Sequence, residues 1–294
     1  MLQIKKLVMA YFQILLTLQK KILTTFILVF FAFTYCIAQT DTVFTNNQKI
    51  ACSVKEITPD AIKYTFPGEE VINSVYKNTV QKIVFKSGRV QTFAEATSFK
   101  TIAGVMDYDK VTTTSVESEL RGLFKLADVS SKAKGTTVYS SQERVKDRAF
   151  KKIKIQAAMF GANIIYLANE RTEGNKYGSY FTSGSTAETN LTGVAYSNML
   201  PDYEKFKRLL GNKTNFLAIQ LYKLGASDSD VSQDNINKSF TLSNISNDNG
   251  IITLQGQLQG ERNITSFQLA NFTDVSFSIA YKDKGTAYNV LLSF

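Results

Sequence analysis

One long stretch of this chain has a helical period, and almost everything else after residue 40 alternates. Val145, Ala149, Ile153, Ala157 and Phe160 recur every three or four positions, Ser140 and Glu143 form a capping box ahead of them, and Gly161 follows as a terminator. Elsewhere apolar residues fall at every second position between turn-forming pairs, which is the pattern of half-buried strands. A single long helix among many short strands restricts the fold to a β-rich α+β class.

The alternation is interrupted in a way that divides the chain. With 294 residues there is room for roughly two or three domains, and only three prolines argue against long disordered linkers. The reading is an N-terminal segment 1–38, a β-meander over 39–100, an α+β sandwich over 101–200 and an antiparallel β-sandwich over 201–294.

Residues 1–38 read as an export signal. Lys5, Lys6, Lys20 and Lys21 precede an apolar run from Ile22 to Ile37 broken only by Thr24, Thr25 and Thr34, and Cys36-Ile37-Ala38 supplies small residues ahead of cleavage before Gln39. Lipidation at Cys36 is disfavoured by bulky Tyr35. An uncleaved anchor is the alternative, because Leu7 to Leu18 is apolar as well, although lysines and threonines interrupt both runs. The expected destination is the periplasm, the outer-membrane surface or the outside of the cell, with membrane contact only through this segment.

The signal also carries part of the charge. It holds four of the 34 basic residues and none of the 25 acidic ones, so its removal lowers the net charge from +9 to +5. The one dense basic cluster, Arg144 to Lys154, reads as the solvated face of the helix, and no nucleic-acid partner is expected. The single cysteine left, Cys52, cannot form an intramolecular disulfide, and its alternation with Ile50 and Val54 makes it a small core residue.

In the meander, Lys49 to Ile57, Ala61 to Phe66, Val71 to Tyr76, Val80 to Phe85 and Arg89 to Phe93 are the expected strands, with turns at Pro59-Asp60, Pro67-Gly68 and Ser87-Gly88. Asp41, Thr42 and Val43, followed by Ile50, Val54, Glu56, Ile57, Asp60, Ile62 and Tyr64 and then Val80, Ile83, Phe85, Ser87 and Gly88, resemble a module common at the start of exported proteins of Gram-negative bacteria. That resemblance implies no chemistry.

In the central segment, strands at Lys110 to Glu117 and Gly122 to Ser130 precede the helix, and strands at Ala162 to Ala168 and Asn190 to Ser197 follow it. The order β-β-α-β-β implies one helix across a sheet. The helix end Ala157 to Ile165, with Gly193-Val194-Ala195-Tyr196 behind it, resembles the YbjQ-like group of small bacterial domains and similar domains of envelope lipoproteins. The likeness implies an α+β fold. The heavy-metal role suggested for that group finds no histidine here, and Cys52 lies in another segment.

The last segment offers a short helix, Asp202 to Leu210, and six strands: Phe216 to Lys223, Ser239 to Ser246, Ile251 to Gln259, Ile264 to Phe272, Val275 to Tyr281 and Ala287 to Phe294. Hairpin signals stand at Asp248-Asn249-Gly250 and Asp283-Lys284-Gly285. A sandwich or open barrel is the expectation. Tyr288, Val290, Leu292 and terminal Phe294 resemble the closing strand of outer-membrane barrels, but those use at least about eight strands, and the upstream strands do not sustain a lipid-facing alternation.

Without histidine, every Ser-His or Cys-His hydrolase is excluded, and the commonest zinc ligand is missing. No phosphate-cradling glycine motif is present. A carboxylate-pair enzyme acting on glycans keeps four candidate pairs, Glu69-Glu70, Asp107-Asp109, Glu117-Glu119 and Asp228-Asp230, most of them in loops or at strand ends rather than within an apolar pocket signature. No enzymatic activity, cofactor or metal is therefore expected. What remains is recognition: the polar, glycine-rich loop from Glu173 to Glu188 carries Tyr177, Tyr180 and Phe181, a composition suited to an envelope protein or glycan as partner.

Overall fold

The computed structural model describes residues 17–21, 23, 40–45, 49–93, 99–174, 176–181 and 183–294. The expected cleavage site before Gln39 and most of the segment read as an export signal lie outside the described residues. The chain is β-rich and α+β, with two helices of eight or more residues after residue 40 and three antiparallel or mixed sheets among the described residues.

The first sheet contains β1 (Asp41–Thr45), β2 (Lys49–Ile57), β3 (Ala61–Thr65), β4 (Asn73–Tyr76), β5 (Val80–Val84) and β6 (Val90–Thr92), in the order β4-β3-β2-β1-β5-β6. β1 lies inside this sheet, paired with β2 on one side and β5 on the other. Val43, Ile50, Cys52, Ile62 and Ile83 form its core. Asp41 is buried for a structural reason: one carboxylate oxygen accepts the Val54 amide at 2.8 Å and the other accepts the Lys86 amide at 2.8 Å. The carboxylate thus ties β2 to the end of β5 through the strand between them.

The second sheet orders β7 (Thr112–Thr114), β8 (Phe124–Lys134), β9 (Ile164–Glu173) and β10 (Glu188–Ser197) as β7-β9-β10-β8. β7 is shorter than the alternation suggested, bounded by 3-10 turns over Val105–Lys110 and Glu117–Leu120, and it runs parallel to β9. Helix α1 (Gln142–Met159) crosses one face. Its cap is one residue later than expected: Ser141 accepts the Arg144 amide, while the Ser140 hydroxyl accepts the amide of Thr137 at 3.1 Å.

The third sheet is closed, where a sandwich or an open barrel was the expectation. β11 (Asn215–Leu224), β12 (Ser232–Asp248), β13 (Ile251–Leu258), β14 (Ser266–Phe272), β15 (Ser276–Asp283) and β16 (Thr286–Ser293) form a closed barrel, because β11 pairs with both β12 and β16. Bulges at Ala218/Gln220, Leu242/Asn244 and Leu269/Asn271 supply the local bend that lets the edges meet. Both hairpin signals become two-residue turns with left-handed backbones, Asn249 (φ 51°) with Gly250 (φ 87°) and Lys284 (φ 44°) with Gly285 (φ 81°).

The barrel is filled. Phe216, Phe240, Phe267, Phe277 and Tyr281 meet inside at ring distances near 5 Å, and helix α2 (Tyr203–Leu210) puts buried Phe206 against Phe272, Phe277 and Phe294. Val290, Leu292 and Phe294 join this interior, so the alternation of the last strand faces inward. The outward positions of β11 and β12 include Gln220, Asn235 and Ser239 beside Leu217, a mixed face without the continuous apolar band of a lipid-facing barrel.

Helix α1 lies between the second sheet and the barrel. Val145, Ala149, Ile153 and Ala157 pack on the sheet, while Ile155, Met159 and Phe160 pack on Leu224, Ala270, Ala280 and Ala287 of the barrel's outer surface. The sequence showed one apolar stripe; the structure uses two. Lys152 falls between them and is only 3% exposed, which corrects the reading of a solvated face at that one position, while Arg144 and Lys146 are exposed and Arg148, Lys151 and Lys154 half-buried.

Candidate functional site

The segment joining β9 to β10 is the longest hairpin connection of the second sheet, and it is built from close backbone contacts rather than open flexibility. Gly174 has φ +89°, and a β-carbon there would stand 1.9 Å from the Thr186 carbonyl oxygen. Lys176 and Ser185 exchange two backbone hydrogen bonds, of 3.1 and 2.9 Å, which close the lobe between them. At Gly184 a β-carbon would crowd the Gly178 amide and Val138 at 2.9 Å. These glycines let strands of the lobe approach, where the sequence suggested adaptability.

Closing the lobe pushes its rings outward. Tyr177, Tyr180 and Phe181 are 69%, 96% and 90% exposed, so they belong to no core. Tyr180 and Phe181 meet edge to face at 5.1 Å. Tyr177 meets a residue that sequence reasoning missed, Tyr139, at 5.5 Å; it is 77% exposed and lies just ahead of α1. Spacing gave no signal for it, because the contact depends on Gly135 donating its amide to the Ala187 carbonyl at 2.7 Å and so joining the two loops.

A polar groove of about 920 Å³ runs beneath the lobe. Thr136, Thr172 and Ser185 contribute hydroxyls, Gln142 an amide, and Glu173 and Lys176 charges. The Gln142 amide also donates to the Gly174 carbonyl, so the first turn of α1 holds the lobe's root. Exposed rings beside hydrogen-bonding groups of both polarities give apolar contact area with directional partners, as protein and sugar recognition both require.

Three members of the carboxylate pairs are engaged by neighbouring donors. Asp107 accepts the Ala103 amide and pairs with Lys110 at 2.6 Å, Asp228 accepts the Gly225 amide at 2.6 Å, and Asp230 pairs with Lys151 at 2.5 Å. Lys110 and Lys151 hold Asp107 and Asp230 below the usual carboxylate range, chiefly through the hydrogen bonds they donate. Among the described residues no three His, Cys, Asp or Glu side chains gather as a metal site. Cys52 is fully buried, and burial, with help from Asp41, pushes its thiol up to about 11.

No protein-family model, curated protein sequence or solved structure matches this chain. The two motif resemblances rest on the residues quoted for them.

Proposed function

We propose that this is an exported, non-enzymatic protein of the cell envelope that recognises another envelope component, protein or glycan, through the lobe between β9 and β10. One observation carries the reading: three rings of that lobe, with Tyr139 beside them, stand in solvent above a polar groove on a backbone held by its own hydrogen bonds. Exposed aromatic surface without a folding role is costly to keep in water and is a common mark of a contact site. Export is supported by the lysines and apolar run of residues 1–38, and a recognition role by a composition without histidine.

The test is capture from envelope extract by the immobilised protein, with the extract untreated, protease-digested or periodate-oxidised. Saturable capture lost on protease treatment identifies a protein partner, and capture lost on oxidation identifies a glycan. Absence of saturable capture from the untreated extract contradicts the proposal.

A further inference from the structure

A second cavity, of about 420 Å³, opens where β8, α1 and the loop after β11 meet. Four cationic side chains line it, Lys132, Lys134, Arg148 and Lys152, against one carboxylate, Asp228. One oxygen of Asp228 accepts the Gly225 amide at 2.6 Å, and the carboxylate also attracts the Lys152 ammonium, which offsets part of the charge while the lining stays cationic on balance. Lys132 is paired with Glu188 at 2.7 Å, but neither Lys134 nor Arg148 has a carboxylate within ion-pair distance among the described residues. Arg148 commits one donor to the Lys134 carbonyl at 3.0 Å, out of five on a guanidinium.

The floor is unusual. Lys152 is nearly fully buried, and its ammonium donates to the Lys132 carbonyl at 2.9 Å and the Ala226 carbonyl at 2.6 Å, joining the sheet to the barrel loop. Two bonds use two of its three donors. A buried cation beside a half-buried arginine and an unpaired lysine is an electrostatic excess that an anion would offset. The hydroxyls of Ser227 and Ser229 complete the rim with donors that need no charge.

We infer that this cavity binds the phosphate group of a small soluble ligand, with Arg148 and Lys134 as its direct partners and Lys152 as the fixed charge beneath. Arginine's planar fork matches phosphate geometry, and the cavity volume lies within the range of small-molecule sites. The excess charge is local to a concave site, which distinguishes it from the exposed lysines elsewhere on the chain.

The probe is inorganic pyrophosphate, titrated into the full chain by calorimetry at physiological salt. Saturable one-to-one binding is expected, and Arg148→Gln and Lys134→Gln should each weaken it at least about tenfold, the loss of one charge-assisted hydrogen bond. Lys152 is left intact because its ammonium holds two buried carbonyls. Unchanged melting temperatures of the two variants keep the comparison valid; a variant that unfolds is replaced by Arg148→Lys, expected to weaken binding in the same direction through loss of the fork. No binding to the unsubstituted protein, or equal binding by the folded variants, overturns the inference. So does Arg148-dependent binding to phosphatidylglycerol vesicles that pyrophosphate fails to displace, which would assign the cavity to a membrane surface instead.

Discussion

Asn289, on the outward face of β16, donates its side-chain amide to the carbonyl oxygen of Met159 at 2.6 Å, and the bond is buried. Met159 ends α1, where the last carbonyls have no partner within the helix. The barrel thus caps the helix of the neighbouring unit. Asn289→Leu should remove the donor and leave a buried carbonyl unsatisfied, lowering stability by about 1–3 kcal/mol. Urea denaturation followed by circular dichroism measures it; an unchanged midpoint would show that this hydrogen bond contributes nothing.

Gly161 is required twice over. Its φ of +75° suits a residue without a side chain, and a β-carbon would come within 2.4 Å of the Ala270 carbonyl oxygen on the barrel. Gly161→Ala should therefore cost at least about 1–3 kcal/mol through backbone strain alone, with the steric conflict added. The same denaturation experiment checks it. Asn289→Leu and Gly161→Ala should also interact when combined, since both act on the same junction.

Cys52 predicts an alkaline effect. Its thiol is raised from 9.0 to about 11 in the folded chain, foremost by burial, so the folded state holds the proton more tightly than the unfolded one. The resulting stability is complete below pH 9.0 and is lost as pH rises through about 11. Buried Tyr281 acts in the same direction. Comparing urea midpoints at about pH 8 and about pH 10.5, the protein should lose more stability than Cys52→Ala does. In the native state at the lower pH, a thiol reagent should leave Cys52 unmodified; rapid labelling would place it at the surface.

The N-terminal reading has its own measurement. Intact mass after expression in a Gram-negative host should correspond to a chain that starts at Gln39. A mass that includes Lys5 would make this an anchored protein.

The strands were legible because their partners alternate in plain sight, and the Asn249-Gly250 and Lys284-Gly285 turns follow from residues that tolerate positive φ. Barrel closure was not, since it depends on β11 meeting β16 across some seventy residues and on bulges that leave no local mark. The second stripe of α1 was hidden because Lys151, Lys152 and Lys154 lie just ahead of Ile155, so the face that carries Ile155 and Met159 read as polar, and the long stem of a lysine can lie along buried positions. At the recognition site the exposed rings Tyr177, Tyr180 and Phe181 were visible in the sequence, while Tyr139 required the fold to bring it beside them.

Replacing Tyr177, Tyr180 and Phe181 together by serine, read by thermal melting and by capture from envelope extract in parallel, tests recognition through the lobe most directly. These rings are exposed, so each substitution should change stability by no more than the few tenths of a kcal/mol typical of surface sites and the melting temperature should stay nearly unchanged, while saturable capture disappears. A collapsed melting transition would show that the rings support the fold, and capture that persists undiminished would show that the partner is held elsewhere.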